Sequence, residues 1–309
     1  MKKKRMKRWV LILMLFLIGG SILWWAVVRV TASSRRVDIE EIAEAGKVGV
    51  RKRVRIGTFN IAHGRGAVEG ASNWGGSDEE RSERLKEIGR LLRSHNLDLV
   101  ILNEVDFDSS WSGRNDQVDV IAKELGPVNI VRQRNYDMEL PFFSLEFGNA
   151  ILSRFQINTA SSILYPEVRW WEPVLMGRKD GVIATLPMEG DDELEVIAVH
   201  LETRDQEVRQ ASLRVLLEQA SGSEVMAGDF NATWQEGEES AIGMIQRDGR
   251  WQAAGGWDGK GEFKSYPALN PQLRLDWVFV PASWRALGAE VILTDLSDHG
   301  LLVSEWGIE

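Results

Sequence analysis

Six apolar runs in this chain of 309 residues stop abruptly at a carboxylate, an amide or an imidazole. Ile56-Gly57-Thr58-Phe59 stops at Asn60, and Leu99-Val100-Ile101-Leu102-Asn103 stops at Glu104. Val196-Ile197-Ala198-Val199 stops at His200, and Val225-Met226-Ala227-Gly228 stops at Asp229 with Asn231 two residues on. Leu273-Arg274-Leu275 stops at Asp276, and Leu296-Ser297 leads into Asp298 and His299. One polar residue at a strand end usually caps a turn. Six such ends predict a polar rim where one edge of a sheet system converges. Carboxylate and amide oxygens are hard ligands that suit Mg²⁺ or Mn²⁺. With histidines beside them, the chemistry they point to is phosphoester hydrolysis. The cation polarises a phosphoryl oxygen while a His/Asp pair handles the attacking water.

Other chemistries are excluded by composition. The chain has no cysteine, which removes disulfides, thiolate nucleophiles and Cys-ligated zinc. Its four histidines form no His-Glu-x-x-His motif. Gly64-Arg65-Gly66 is followed by no Gly-Lys-Ser/Thr, so it is not a phosphate loop of that type.

The elements that must position these residues alternate in pattern. Short apolar runs predict strands at 54–59, 97–102, 129–132, 150–153, 181–186, 194–199, 224–227, 273–280, 290–293 and 301–304. A 3.6-residue period predicts helices over 79–93, with Leu85, Ile88, Leu91 and Leu92 on one face, and over 205–219. Strands alternating with helices make an α/β layer structure.

The N-terminus reads differently. Trp9 to Val28 is a run of 20 residues without a charge, flanked by Arg8 and Arg29. At about 1.5 Å per residue a helix of that length reaches about 30 Å, the thickness of a hydrocarbon core. Trp9 and Trp24-Trp25 stand at its ends, where aromatic belts form. Six basic residues precede the run and three follow it, which keeps the N-terminus cytoplasmic and sends the rest across. A cleaved signal peptide is the other reading, since Val30-Thr31-Ala32 resembles a cleavage site. The run is longer than a usual signal core, which favours an uncleaved anchor. Either reading places the remainder outside the cytoplasm. The resulting organisation is a basic tail at 1–8, a transmembrane helix at 9–28, a polar linker at 29–52 with a short helix near 39–45, and a catalytic domain at 53–309.

Residues 1–36 hold nine of the 37 Lys/Arg and no acid, so the remaining 273 residues carry a formal charge of −18. Such a surface repels a polyanion at long range, although a bound metal reverses the field locally.

The ordered set Thr58-Phe59-Asn60-Ile61, Leu102-Asn103-Glu104-Val105-Asp106, Gly148-Asn149-Ala150-Ile151-Leu152-Ser153, Val199-His200-Leu201, Gly228-Asp229-Phe230-Asn231, Arg274-Leu275-Asp276-Trp277 and Ser297-Asp298-His299 resembles the endonuclease/exonuclease/phosphatase superfamily, which includes deoxyribonuclease I and neutral sphingomyelinases. The resemblance runs from about residue 53 to the C-terminus. It implies a four-layered sandwich of two mixed β-sheets flanked by helices. It also implies Glu104 as principal metal ligand, with Asn60 completing that site and Asp298 adding a contact. Asp229 then orients or deprotonates water, Asn231 holds a phosphate oxygen, and His200 meets the scissile phosphate or assists the leaving group. His299 serves as base or phosphate stabiliser with Asp276 fixing its tautomer, and Asn149 is a substrate contact. The implied cofactor is Mg²⁺ or Mn²⁺. Two substrates stay open, nucleic acid and a phospholipid or small phosphoester, and the sequence points to no protein partner. A non-catalytic, membrane-tethered binding module is the alternative from another class, and it predicts a lost metal Glu or catalytic His. Neither is lost.

Outside that set, His63 reads as a solvated loop histidine and His95 as a structural residue at a helix end. Trp277 and Trp306 read as core. Trp111, Trp170 and Trp171 fall in polar stretches between motifs, as packing residues, as walls of a substrate cleft or as lipid contacts.

Overall fold

A computed structural model describes residues 2–33, 36–42, 45, 49–50, 52–68, 72–140, 142–166, 177–188, 192–234, 239–257 and 263–308. The N-terminal helix α1 (Lys2–Ser33) is apolar and exposed over Arg5–Ala26, long enough to cross a membrane and equally compatible with a signal sequence.

Among the described residues, thirteen strands then build two mixed sheets. The first runs β1 (Val37–Glu40), β4 (Asn129–Leu140), β5 (Phe143–Ser153), β3 (Leu99–Asp106), β2 (Arg53–Asn60), β13 (Leu301–Gly307), β12 (Arg285–Ile292). The second runs β10 (Trp251–Ala253), β11 (Asp276–Pro281), β9 (Val225–Asp229), β8 (Glu193–His200), β7 (Gly181–Pro187), β6 (Thr159–Ile163).

Their inner faces meet in one apolar layer, with Ile56, Ile101 and Ile151 of the first sheet against Val182, Val196, Ala227 and Val278 of the second. Helices α2 (Asp78–Ser94) and α3 (Gln117–Leu125) cover the outer face of the first sheet through Leu85, Ile88, Leu92, Val118 and Ile121. Helices α4 (Gln206–Gln219) and α5 (Ala241–Asp248) cover the second through Leu213, Leu216, Ile242 and Ile245. Each fully buried Leu or Ile contributes about 1.5–3 kcal/mol, which is why the central strands are apolar on both faces. Trp277 and Trp306 are buried, as expected.

Local signals set the helix ends. Ser77 and Glu80 form a capping box at the start of α2, Asp205 caps α4, and His95 is the C-cap residue of α2.

Several elements differ from the sequence expectation. The stretch expected as a linker with a short helix instead contributes β1, and Val50 enters the core. β1 is pinned by charge: Arg132 of β4 bonds Glu40, and Arg134 bonds Asp38. The strands expected at 129–132 and 150–153 are the inner halves of a long hairpin, β4–β5. β6, β10, α3 and α5 were not anticipated. Each is short or only partly apolar, and each is held by neighbours distant in sequence.

One close approach fixes a motif residue. Gly228 has φ +145°, and a Cβ there would lie 1.9 Å from the Val199 carbonyl oxygen of the paired strand β8. Neither the backbone conformation nor the space admits a side chain. Gly228→Ala is expected to cost about 3 kcal/mol and to lower Tm by about 6–12 °C, read by thermal denaturation. An unchanged Tm would contradict the packing described.

Candidate active site

Strand direction brings the polar ends together. β2 and β3 are parallel with Asn60 opposite Asn103, and β8 and β9 are parallel with His200 opposite Asp229. The ends of all four strands therefore share one edge. β11 runs antiparallel to β9, so its first residue, Asp276, lies across from Asp229. β13 runs antiparallel to β2, and the residues just before it, Asp298 and His299, arrive beside Asn60. The Ser297 hydroxyl donates to the Asn60 carbonyl at 2.7 Å.

Glu104 is aimed by strain. The register between β3 and β5 shifts between Leu102 and Val105, and Glu104 sits at φ +53°. This bulge turns its side chain out of the strand alternation and into the cleft, where a quarter of it stays exposed. Asn231 (φ +47°) and His63 (φ +53°) are held in the same left-handed region.

The side chains form one network. Asn60 Nδ2 donates to Glu104 Oε1 at 3.2 Å and to Asp229 Oδ2 at 3.0 Å. Asp229 Oδ1 accepts the Asn231 N–H at 2.8 Å, and Asn231 Nδ2 donates to the Leu201 carbonyl. His299 Nδ1 lies 2.8 Å from Asp276 Oδ2, which leaves Nε2 facing Asp229 Oδ2 at 3.8 Å. His200 Nε2 is 3.9 Å from both Glu104 Oε1 and Asp229 Oδ2. Asp298 accepts from Arg65 at 2.7 Å.

Asn149 is placed behind this front. It is fully buried, with its amide committed to Asn103, Gln133 and the Asp180 carbonyl.

Four residues of the site were not assigned from sequence. His63, expected in solvent, is buried and bonds Asp106 through Nδ1 at 2.8 Å, with Nε2 3.6 Å from Glu104 Oε2. It folds in because Arg81 and Gln117 both donate to its carbonyl. Asp106, two residues past Glu104, was the available signal. Arg65 joins Asp298 to Glu104, at 2.7 and 3.7 Å. Lys179 stands 3.2 Å from His200 Nε2 and donates to Thr203 and the Leu201 carbonyl. Asn103 lies in the site's floor, donating to Val199 O and accepting the Asp229 N–H. Trp111 donates to Asp106 and packs on His63, whereas Trp170 and Trp171 lie outside the described residues.

The electrostatics divide the groups by role. Burial opposes the charge on Glu104, yet His63, Lys179 and Arg65 hold its carboxyl well below the usual range. Burial, with Lys179 beside it, pushes His200 well down, so its imidazole is neutral and adds nothing to that hold. Burial raises Asp229 to about 6 against the pull of His299. His63 and His299 are both raised: burial lowers each, but Asp106 lifts the one, and Asp276 with Asp229 lifts the other to about 10.

One grouping among the described residues offers ligands to a cation, and Glu104 lies beside it with Asn60 Nδ2 joining Glu104 to Asp229. Asp229, Asp276 and His299 present ligand atoms within 4.8 Å of one another, and Asp276 Oδ1 is buried with no donor among the described residues. This donor chemistry fits a hard divalent ion.

A profile of the Endonuclease/Exonuclease/phosphatase family matches residues 57–299. The chain belongs to that family. Its members are phosphoesterases and are typically dependent on a divalent metal. No curated protein matches the chain by sequence. Solved structures do match. An endonuclease/exonuclease/phosphatase from Bacteroides vulgatus is similar with a TM-score of 0.64 at 16% identity, covering 84% of this chain and 100% of that one. One from Beutenbergia cavernae gives 0.61 at 19%, covering 84% and 72%. The mannosyl-6-phosphatase Bt3783 of Bacteroides thetaiotaomicron gives 0.61 at 16%, covering 82% and 99%. At these identities the likeness speaks for the fold, the two mixed sheets and their flanking helices.

The His299–Asp276 pair has a stability signature. Its folded value of about 10 lies above the unfolded value of about 6.5. The stabilisation is therefore complete below about pH 6.5 and is lost as pH rises through about 10. The metal-free chain should lose more Tm between pH 7 and pH 10 than its Asp276→Asn variant. Parallel curves would show that the pair is not charged as described.

Proposed function

We propose that this family member is a membrane-anchored hydrolase of phosphoesters, using water and one or more Mg²⁺ or Mn²⁺ ions. The observation that carries the reading is the convergence of Asn60, Glu104, His200, Asp229, Asn231, Asp276 and His299 on one cleft. Glu104 would be the principal ligand to the cation, with Asn60 and Asp298 beside it. When bound, the cation supplies Lewis-acid polarisation of a phosphoryl oxygen.

The chain's own groups do the rest. Asp229, raised to about 6, is poised to take a proton from water near neutral pH. Asn231 would hold a phosphate oxygen through its side-chain amide, which in this structure donates to the Leu201 carbonyl, and its backbone N–H holds Asp229 in place. His299, kept charged by Asp276, stabilises the negative charge gathering on the phosphoryl oxygens. His200 is neutral and takes a hydrogen-bonding role at the leaving side, with Lys179 adding a positive charge there.

We assign the substrate to a phospholipid head group or a small phosphoester. The −18 charge outside the first 36 residues and the lack of a basic stripe argue against a polyanion. The exposed apolar helix α1 favours a site held near a bilayer, with the N-terminus cytoplasmic and residues 53–309 as the catalytic domain outside. One neighbour in fold is named a mannosyl-6-phosphatase, a small-phosphoester enzyme by that name.

The test uses the full chain with bis(p-nitrophenyl) phosphate, a dispersed phospholipid and supercoiled plasmid as parallel substrates. Mg²⁺-dependent hydrolysis of either of the first two, abolished by EDTA and reduced about 10²–10⁴-fold in His299→Ala, is the expected result. Plasmid nicking alone would replace the substrate assignment with a nuclease. Hydrolysis that survives both EDTA and the variant would overturn the mechanism.

A further inference from the structure

Large apolar side chains left in water are costly, and outside α1 the described residues with the highest exposure are Phe142 (96%), Leu269 (67%), Val68 (65%) and Trp74 (60%). All four rim the mouth of the site. Phe142 occupies the turn of the β4–β5 hairpin, where Leu140 pairs with Phe143. Trp74 stacks on Phe143 and meets Trp111 edge-on, and Trp111 packs against His63 of the site. Val68 follows Ala67 and Gly66, which bond Asp295 and pair with Ser297, next to Asp298. Leu269 lies on the turn after Ala268, whose N–H donates to the Asp298 carbonyl, and the same loop sets Tyr266 against the His299 ring.

Strand topology brings the anchor to this same end. α1 ends at Ser33 and β1 begins at Val37, so only residues 34–36 intervene. β1 is antiparallel to β4, with Val37 opposite Gln133 and Glu40 opposite Ile130. The end of β1 that receives the chain from α1 therefore points toward the hairpin turn, about seven residues or ~24 Å further along β4. β3 reaches the same end, since its last residue, Asp106, pairs with Phe147 of β5. Anchor, catalytic mouth and apolar rim share one edge of the first sheet.

We infer that this rim is a docking surface for the bilayer that holds α1, with Phe142, Leu269, Val68 and Trp74 entering the interface and setting the mouth of the site against the lipid. Trp and Phe beside polar loops are the side chains that settle at head-group depth. The inference rests on the proposed reading of α1 as a membrane anchor. It does not require the phosphoesterase reading, because docking is measurable without turnover.

The absence of native cysteine makes the test direct. Single nitroxide labels are placed on the full chain at Phe142→Cys, Leu269→Cys, Leu15→Cys within α1, and Ser94→Cys. Ser94 is exposed at the end of α2, at the opposite edge of the first sheet where β3 begins. The protein is reconstituted in bilayers of phosphatidylethanolamine and phosphatidylglycerol, and collisions with oxygen and with a water-soluble nickel chelate are read by power-saturation EPR. Docking predicts loss of nickel collisions and gain of oxygen collisions at 142 and 269 relative to 94, with 15 deeper still. Labels at 142 and 269 as open to nickel as 94, while 15 is shielded, would overturn docking and leave the anchor standing. Nickel access at 15 as well would overturn the anchor and the docking with it.

Discussion

A buried amide with bonds to two strands of the opposite sheet joins the sheets at the point where the chemistry collects. Asn103, in β3 of the first sheet just before the bulge, donates to the Val199 carbonyl and accepts the N–H of Asp229, both in the second sheet. Its Nδ2 also meets Asn149, whose own amide reaches Gln133 and the Asp180 carbonyl. Asn60 adds a second polar link, from β2 to Asp229, and the core layer between the sheets is otherwise packed with apolar side chains, which fix spacing without fixing register. The Asn103 bonds supply the register, because a buried donor or acceptor left unpaired costs about 1–3 kcal/mol. Through them Asp229 is set against Asn60, and every other distance in the site follows.

The same residue explains why strain gathers next to it. With Asn103 turned inward to the second sheet, the following Glu104 must leave the strand alternation to reach the cleft, and it does so at positive φ within a bulge. Such a conformation is sustained only where the surroundings over-determine it. Here the pairings of β3 with both β2 and β5 do so. Around the bulge stand two histidines, each with Nδ1 on a buried carboxylate, His63 on Asp106 and His299 on Asp276. Their Nε2 atoms face the acidic groups of the site, His63 toward Glu104 and His299 toward Asp229.

Much of this was legible in the sequence because parallel strands leave a simple mark. An apolar run ended by Asn, Glu, His or Asp is what a central strand looks like when its C-terminal end opens on a cleft. Asn60, Glu104, His200 and Asp229 all carry that mark. Asp276 and His299 carried it too, at the starts of β11 and β13. His63, Arg65 and Lys179 did not. Each is a single charged or titratable residue in a polar stretch, and its inward turn depends on partners far away in the chain, such as Arg81 and Gln117 for His63. The outer hairpin and β1 were missed for a related reason. Their cohesion comes from Arg132 and Arg134 binding acids of another strand, which leaves no hydrophobic period to read.

We propose that these two sheet edges build a cation site in which Glu104 is the principal ligand. Mn²⁺ titration of the full chain, followed by the loss of the free-ion EPR signal, tests it most directly, with Glu104→Gln as the comparison. The wild-type chain should take up the ion, and the variant should do so at least about tenfold more weakly. Equal uptake by both chains, or none by the wild type, would contradict it.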